Sequence, residues 1–399
     1  MNSVSPVLGT AALSRAIAPA GDTSFSVECS RWFAPDNDGA EQLLAEAVIP
    51  EWEALALKTH AVPFLRPAYV SAWWRAFSVA GSRLVLWQAR RHGRLVALLP
   101  MMQTGNTLRT ATNYHTPQTG IIADSDEAAA ALLHALLQNA NVAQVVLAGL
   151  DTLSRDPAIC RQAVRDAGHR LLALPHERAT YVTTQQGWQA YGKKLGKEFR
   201  AEIRRTRRRL EEQGTLTVEF GNGDSQLDAR LEEALAVEAA GWKQRNGTSI
   251  QSSPREARFY RDLAHWAARE NMLRLCFLRL DGNVIAMMFA FENQQQWHLL
   301  KTGYDEAYAR FSAGKLMLHD CLQHCFETGM QRIEIHGDAA PHKMRWRPNS
   351  RVLERLHIFP PTLAGRFAWA RVALRPALKA LLIRCHLLRA PPPIPDADN

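Results

Sequence analysis

One pattern of apolar and polar positions occurs twice along the 399-residue chain. Residues 84–102 and 273–291 each consist of an apolar stretch, a turn with glycine in its second position, and another apolar stretch. The turns His92-Gly93 and Asp281-Gly282 supply the positive φ angle that a tight β-hairpin requires. The sequence therefore predicts two β-hairpins in equivalent positions of two similar halves.

The segments around the two hairpins also agree. Helical periodicity precedes each hairpin, and a helix followed by a strand comes after it. The predicted helices before the hairpins are 40–58, 67–78, 225–245 and 254–270, and the helix–strand pairs after them are 126–139 with 143–148 and 314–328 with 331–335. Because hairpins make neighbouring strands antiparallel, the pattern predicts an α/β (α+β) protein with mixed, largely antiparallel sheets flanked by helices.

The repeat gives the predicted domain organisation, since two domains fit a chain of this length. The first domain is expected over 25–184 and the second over 185–360. Residues 1–24 have the composition of a disordered tail. Residues 361–399 are expected to form a basic amphipathic tail in which Pro376 separates two helices.

Composition excludes several classes of protein. Hydrophobic residues make up 47% and charged residues 22%, as in ordinary globular proteins. The sequence contains no run of 18 apolar residues, so it predicts no transmembrane helix. The N-terminus lacks the pattern of a signal peptide. Six cysteines without framework spacing favour a reducing compartment, so we expect a cytoplasmic protein.

The formal net charge of +9 is concentrated in two segments. Residues 193–210 hold nine basic and two acidic side chains, and the apolar ones fall in one helical arc: Leu195, Phe199, Ile203, Thr206 and Leu210. This helix either binds a polyanion or has a solvated basic face. Residues 355–395 hold seven basic and no acidic side chains. Segment 362–389 can therefore contact an anionic membrane surface peripherally, or it packs on the body of the protein.

The most informative stretch runs from residue 296 to residue 346. A strand and a polar loop lead to a helix start with small and basic residues, namely Arg310, Ser312, Ala313, Gly314 and Lys315. Small residues let backbone N–H groups approach a phosphate at a helix N-terminus. The alternative is an ordinary helix start that Ser312 caps.

The next strand ends in further candidate chemistry. Glu334 and His336 lie two residues apart and are followed by Asp338, which suggests a general base, or simply a solvated strand end. Lys343, Arg345 and Trp346 form a cationic, aromatic cluster that can hold an anionic substrate or bond to loop carbonyls. Cys321 and Cys325 share an apolar stripe, whereas the nearby His319 and His324 fall on the polar side of the same helix, so no metal site is expected.

These residues resemble the CelD-like family of the GNAT acyltransferase superfamily, which is linked to cellulose and exopolysaccharide biosynthesis. That family is related to the Fem peptidyltransferases, which carry two tandem GNAT folds. The resemblance covers roughly residues 30–358 and is carried by the basic helix 200–214, Tyr304-Asp305, Ser312 to Leu316, Gly337-Asp338, Lys343 and Trp346, and by Trp52 to Leu55 and Ala72 to Phe77 in the first half. Ala313 replaces the family's proline, and Glu334 replaces its aspartate.

The resemblance implies tandem GNAT-like folds and transfer of an acyl group, first of all acetyl, from acyl-CoA to the amine of a sugar, amino acid or small molecule in polysaccharide or cell-envelope biosynthesis. The donor would lie between strands 297–303 and 331–335, with its pyrophosphate at residues 313–315. Glu334 or Asp338 would be the base and Tyr304 the acid, while Lys343 and Arg345 would bind an anionic acceptor or carrier. The first half, which lacks this glycine and lysine at residues 124–129, would be degenerate.

Two other functions fit the same resemblance. A Fem-like transferase would use aminoacyl-tRNA, which the basic helix 193–210 would face; nucleic acid is otherwise not expected as a partner. A non-catalytic accessory protein would dock a polysaccharide synthase at the inner membrane surface through the basic tail.

Overall fold

The computed structural model of the protein describes residues 25–33, 48–223, 225–240, 250 and 253–384. Within them, thirteen strands form one mixed sheet. The strands are β1 (Phe25–Phe33), β2 (Ser82–Arg91), β3 (Arg94–Thr104), β4 (Thr107–Thr110), β5 (Ile122–Ala123), β6 (Gln144–Asp151), β7 (Arg170–Thr183), β8 (Leu216–Gly221), β9 (Leu273–Leu280), β10 (Asn283–Asn293), β11 (Gln296–Tyr304), β12 (Arg332–Asp338) and β13 (Asn349–Phe359).

Helices cover both halves of this sheet. They are α1 (Ile49–Lys58), α2 (Pro67–Phe77), α3 (Asp126–Asn139), α4 (Asp156–Asp166), α5 (Trp188–Lys194), α6 (Lys197–Glu211), α7 (Leu227–Ala239), α8 (Pro254–Arg269), α9 (Ala313–Glu327), α10 (Pro341–Met344) and α11 (Leu363–Arg384). Two 3-10 helices lie at Pro63–Leu65 and Glu306–Phe311.

The predicted repeat is confirmed. Strands β2 and β3 pair as a hairpin, and so do β9 and β10. Both residues of each turn have positive φ angles, which are 50° and 76° at His92-Gly93 and 48° and 82° at Asp281-Gly282. Strand β4 runs parallel to β6 in the first half, as β11 runs parallel to β12 in the second. Every other neighbouring pair is antiparallel, so the fold is the expected tandem GNAT-like arrangement of a mixed sheet flanked by helices.

The two halves exchange their last strands, which the sequence pattern did not indicate. The strand order across the junction is β6-β13-β7-β12. Strand β7 follows the first half along the chain but pairs with β12 of the second half, and β13 follows the second half but pairs with β6 of the first. Because β7 and β13 also pair with each other over their length, one continuous sheet replaces two separate ones.

Some predicted elements fall outside the described residues, and one prediction is wrong. Residues 1–24, residues 34–47 at the start of the predicted helix 40–58, residues 241–249 at the end of the predicted helix 225–245, and residues 385–399 lie outside the description. Helix α11 is continuous through Pro376, so the predicted interruption there did not occur. A proline removes one backbone hydrogen bond from a helix, and the chain tolerates this loss here.

A buried ion cluster holds the strands of the two halves together. The Arg351 side chain on β13 is 1% exposed and pairs with Asp151 on β6 at 2.7 Å and with Glu334 on β12 at 2.9 Å. It also donates to the Gln118 side chain at 3.0 Å. The Arg332 guanidinium approaches the other oxygen of Glu334 at 2.7 Å. One guanidinium thus neutralises carboxylates from both halves in the interior of the junction.

We expect Arg351→Met to lower the free energy of unfolding by about 3–5 kcal/mol, because it leaves the buried Asp151 without a cation and Glu334 with Arg332 alone. Arg155→Met is the matched control: its ion pair with Asp126 is exposed, so the loss should stay below about 1 kcal/mol. Urea denaturation followed by circular dichroism measures both. Equal losses in the two variants would contradict the role given to Arg351.

Candidate active site

A cavity of about 910 Å³ opens where β11 and β12 separate. The two strands pair only from Gln296 to His298, opposite Arg332 to Glu334. Beyond these pairs their backbones diverge, and the cavity is lined by residues 299–304 of β11 and 335–337 of β12. The gap leaves room for a ligand to lie between strand edges, as predicted for strands 297–303 and 331–335.

The start of α9 forms one wall of this cavity. Ser312 has a left-handed backbone with φ 47°, its side chain does not cap the helix, and the first turn carries no acid. A Cβ at Gly314 would stand 3.4 Å from the Tyr304 ring, so the glycine keeps this wall open beside Tyr304. The first backbone N–H groups of a helix lack intrahelical acceptors and favour an anion.

The equivalent helix start in the first half has the opposite character. Ser125 accepts the N–H of Ala128 at 3.1 Å, and Asp126 and Glu127 occupy the first turn of α3. The Ser125 side chain occupies one of the donors that an anion would need, and the two carboxylates would repel an anion there. This difference supports a single phosphate-type site, in the second half.

The basic side chains predicted near α9 are distributed unevenly. Lys315 lines the cavity, and its ammonium group is paired with Glu202 of α6, which also holds Arg345. Burial raises the pKa of Glu202, but the hydrogen bonds from these two cations outweigh burial and lower it overall. Arg310 is exposed and lies over the Phe311 ring, away from the cavity lining. Ala313 is fully buried below the helix start.

The residues predicted to bind an acceptor lie at two places. Lys343 and Trp346 line the cavity, whereas Arg345 lies on the neighbouring surface against Phe199. Lys343 donates to the backbone carbonyl of His336 at 2.5 Å, and burial lowers its pKa. Trp346 packs edge-on against the Phe199 ring. These contacts make Lys343 part of the cavity wall and leave Arg345 outside it.

A bulge in β12 turns His336 into the cavity. Between the pairs Glu334–Tyr181 and Asp338–Ala179, three residues of β12 face one of β7. His336 and Gly337 within the bulge have φ angles of 49° and 67°. Positive φ at a non-glycine residue is strained, and such strain clusters at functional sites as well as in turns. The bulge places His336, itself a buried residue, in the cavity lining.

The His336 ring is held by a second histidine and by the first half. It stacks on His298, with His336 Nε2 and His298 Nδ1 3.3 Å apart, while Phe64 packs edge-on against both rings. His336 Nδ1 is buried and has no hydrogen-bond partner among the described residues. Burial lowers the pKa of His336 well below its usual range, so the ring is neutral. His336 therefore lines the cavity with one buried polar atom that has no partner among the described residues.

The three carboxylates near the bulge have different surroundings. Both oxygens of Glu334 are held by Arg351 and Arg332, and the residue does not line the cavity. Asp338 is exposed and accepts the backbone N–H of Arg178 at 3.0 Å. Glu177 on β7 does line the cavity, and burial together with the nearby charge of Asp338 raises its pKa. The roles predicted for Glu334 and Asp338 stay predictions. Of these three carboxylates, only Glu177 lines the cavity.

The opposite wall of the cavity comes from the first half. Residues 112–117 form a loop after β4, and the Tyr69 hydroxyl donates to the backbone carbonyl of His115 at 2.8 Å. His115 Nδ1 lies 2.9 Å from the Tyr260 hydroxyl, and Lys301 Nζ lies 5.3 Å from the Tyr260 ring centre. The cavity is thus enclosed by both halves.

Sequence analysis missed this wall and Glu177. Loop 112–117 carries no motif, and Glu177 lies in a strand whose exchange between halves is a tertiary event. One signal was present: a histidine and a tyrosine, His115 and Tyr114, within a polar loop. Nothing local indicated that they face strand β11.

The cysteines and the basic helix match their predictions in part. Cys321 and Cys325 are buried free thiols, as expected. In the described part of the chain, no three His, Cys, Asp or Glu side chains are grouped so as to hold a metal ion. The apolar arc of α6 is buried, and its outer face exposes five basic side chains, namely Lys197, Arg204, Arg205, Arg208 and Arg209. Of the helices described, none has the length and apolarity needed to cross a membrane.

Comparison with known proteins finds a family match within the second half. Residues 197–344 match the family described as acetyltransferase (GNAT) domain. This stretch contains α6, the β10–β11–β12 edge and the start of α9. The sequence matches none of the curated proteins.

Solved structures share the fold of the whole chain. The C-terminal domain of a protein described as a lysylphosphatidylglycerol synthetase from Agrobacterium fabrum is 12% identical, with a TM-score of 0.52, and the match covers 84% of this chain and 96% of that one. L-PGS from Bacillus licheniformis is 14% identical, with a TM-score of 0.52, and the match covers 84% of this chain and 96% of that one. FemX is 10% identical, with a TM-score of 0.52, and the match covers 77% of this chain and 95% of that one. At these identities the likeness concerns the fold alone. The finer CelD-like resemblance stays a prediction.

The buried histidines generate a pH prediction. Burial lowers the pKa of His115 and of His298 from 6.5 to about 3, with further contributions from Lys301 and from Arg351 and Arg332. Below pH 6.5 the unfolded chain therefore binds protons that the folded protein does not, so stability falls as pH drops toward 3. We expect His115→Gln and His298→Gln each to reduce the slope of unfolding free energy between pH 6 and 4.5 by up to about 1.4 kcal/mol per pH unit. Urea titrations at several pH values measure the slope, and an unchanged slope in both variants would contradict the buried neutral state.

Proposed function

We propose that the protein is an acyl-CoA-dependent N-acyltransferase, with acetyl-CoA as the first donor to test. The observation that carries the proposal is the cavity at the divergence of β11 and β12, which meets the uncapped start of α9 within the GNAT-matching segment. The acceptor is an amine on a sugar, an amino acid or a small molecule. Its place in polysaccharide or cell-envelope biosynthesis rests on the sequence resemblance alone.

The helix start fits the pyrophosphate of the donor. The wall beside Gly314 is open, the first turn carries no acid, and Lys315 and Arg345 lie nearby with Glu202 as their present counterion. A phosphate at this place would replace the Glu202 carboxylate as partner of Lys315. The acyl end of the donor would then extend along β11 toward the bulge at His336.

The far wall of the cavity suits the acceptor. An amine that enters between loop 112–117 and β11 reaches Glu177 and His336 from the first-half side. Its nitrogen attacks the thioester carbonyl carbon, the C–S bond breaks, and the amine loses one proton while the thiolate gains one. We assign proton removal to Glu177, since a raised pKa brings a carboxylate closer to the working pH of a base. Tyr304, beside Gly314, keeps its predicted role as the acid that protonates the thiolate.

A second function is favoured by a separate observation. Helix α6, which carries the exposed basic face, contacts α9 through the ion pair of Arg207 with Asp320 and meets the start of α9 through Glu202 and Lys315. FemX and the lysylphosphatidylglycerol synthetases share the fold. A Fem-like transferase would present this face to an aminoacyl-tRNA, and binding would weaken steeply with salt. A non-catalytic accessory protein would need neither acyl-CoA nor aminoacyl-tRNA.

Calorimetric titration of acetyl-CoA into the full chain tests the donor site. We expect micromolar binding that Gly314→Asp abolishes, because the new carboxylate repels the pyrophosphate at the helix start. Gly192→Asp is the matched control, since a Cβ there meets no atom within 4 Å and the residue lies outside the cavity lining.

Absence of acetyl-CoA binding by the folded wild type would overturn the acyl-CoA proposal. Salt-sensitive binding of aminoacyl-tRNA in its place would support the Fem-like function, and binding of neither would favour the accessory role.

The base assignment has its own test. Glu177→Gln should reduce kcat by about 10²- to 10⁴-fold and remove the acidic limb of the pH profile, while acetyl-CoA affinity stays unchanged. Release of the CoA thiol reports the rate, with the acceptor taken from a screen of amino sugars, amino acids and small amines. Asp338→Asn is the control and should retain most activity. If Asp338→Asn loses activity and Glu177→Gln keeps it, the originally predicted base is the correct one.

A further inference from the structure

The outer face of helix α11 combines apolar and cationic side chains in an unusual way. Five large apolar side chains in the described chain are at least 60% exposed, and three lie on this helix: Leu363 at 74%, Phe367 at 76% and Leu374 at 60%. At about 100° per residue they fall within an arc of about 40°. They therefore form one apolar ridge about 17 Å long, where isolated exposed residues would scatter around the helix.

Arginines border this ridge on both sides. Arg366 lies on one side and Arg371 and Arg375 on the other, and all three are exposed. None of them forms an ion pair with any residue that the structure describes. The surrounding sequence from residue 355 to residue 395 contains no acid. The face thus carries uncompensated positive charge around its apolar ridge.

The opposite face of the helix is fixed to the body of the protein. Ala368 is buried, and the Arg170 guanidinium of β7 lies 4.3 Å over the Trp369 ring. The backbone N–H of Gly365 is bonded to the Thr362 hydroxyl at 3.1 Å, close to Pro360. The ridge is consequently held outward at the junction strands, so a ligand could meet it without any change in the fold.

Three kinds of ligand could occupy the outer face of α11, and they differ in the side chains that they would contact. A polyanion such as RNA would use the arginines but gain nothing from the Leu–Phe–Leu ridge. A second copy of this face would bring arginine rows against arginine rows without an acid to separate them. An anionic bilayer surface accepts apolar side chains below its headgroups and arginines among its phosphates.

We propose that α11 docks the protein on an anionic membrane surface. Leu363, Phe367 and Leu374 enter the boundary between headgroups and acyl chains, while Arg366, Arg371 and Arg375 pair with lipid phosphates. The helix lies in the plane of the membrane, consistent with its length and mixed faces. This docking is independent of the proposed acyl transfer, because it uses neither the cavity nor the start of α9.

Co-sedimentation of the full chain with vesicles tests the proposal. One set contains phosphatidylcholine with about one third phosphatidylglycerol, and the other contains phosphatidylcholine alone. We expect binding to the anionic vesicles only. Phe367→Ser/Leu374→Ser should reduce it at least tenfold, and Arg366→Gln/Arg371→Gln/Arg375→Gln on the order of 100-fold, from about 1 kcal/mol for each cation.

Two matched controls distinguish binding through this face of α11 from nonspecific adsorption to the vesicles. Leu153→Ser removes an equally exposed apolar side chain, 66% exposed, from another element. Arg204→Gln/Arg208→Gln/Arg209→Gln removes three exposed charges from α6. Both should bind like the wild type, and circular dichroism should show all variants folded, since every substituted side chain is on the surface.

Several results would overturn the proposal. The first is that the wild type does not bind anionic vesicles. The second is that the α6 control loses as much vesicle binding as the arginine variant of α11. The third is that Phe367→Ser/Leu374→Ser keeps full vesicle binding. Dimerisation in sedimentation velocity that Phe367→Ser/Leu374→Ser abolishes, without vesicle binding, would identify a second copy as the occupant.

Discussion

The buried guanidinium of Arg351 is the interaction on which the architecture depends. It pairs with Asp151 of the first half and Glu334 of the second, at the point where the exchanged strands β7 and β13 lie side by side. Two carboxylates from different halves cannot share a dry interior unless a cation lies between them. Because the cluster neutralises these carboxylates, the strands that carry them can lie in one continuous sheet. The ion pairs of Arg351 thereby fix the position of the two halves relative to each other.

The candidate site inherits this arrangement. Glu177 reaches the cavity because its strand crosses to the second half, and the bulge in β12 opens beside that strand. Phe64 and loop 112–117 bring the first half against the histidine pair and the cavity mouth. The first half lacks an anion-binding helix start of its own, yet it encloses the second half's site. In the proposed acyl transfer the first half would shape the acceptor side of the cavity, in addition to the structural role expected from its sequence.

Local pattern predicted the elements well and the site only in part. The hairpins at His92-Gly93 and Asp281-Gly282 were predictable because their turn chemistry is local and their flanking strands are apolar. The open helix start at Gly314 was predictable for the same reason. Strand spacing indicates only that Glu334 shares a face with His336, and the role of base stays a prediction for Glu334. Its partner Arg351 lies on a strand that the pattern analysis had not predicted at all.

The sequence by itself determined the repeat, the hairpin turns, the buried stripe of α6 and the small residues at the start of α9, since each depends on neighbours within a few positions. Tertiary structure decided the exchange of β7 and β13, the position of Glu177 in the cavity lining with Glu334 and Asp338 outside it, and the wall formed by loop 112–117. These depend on which strands become adjacent, and on which carboxylates meet a guanidinium. Packing and charge compensation of the whole chain determine which strands pair when they are more than a hundred residues apart in sequence. A local sequence pattern does not contain this information.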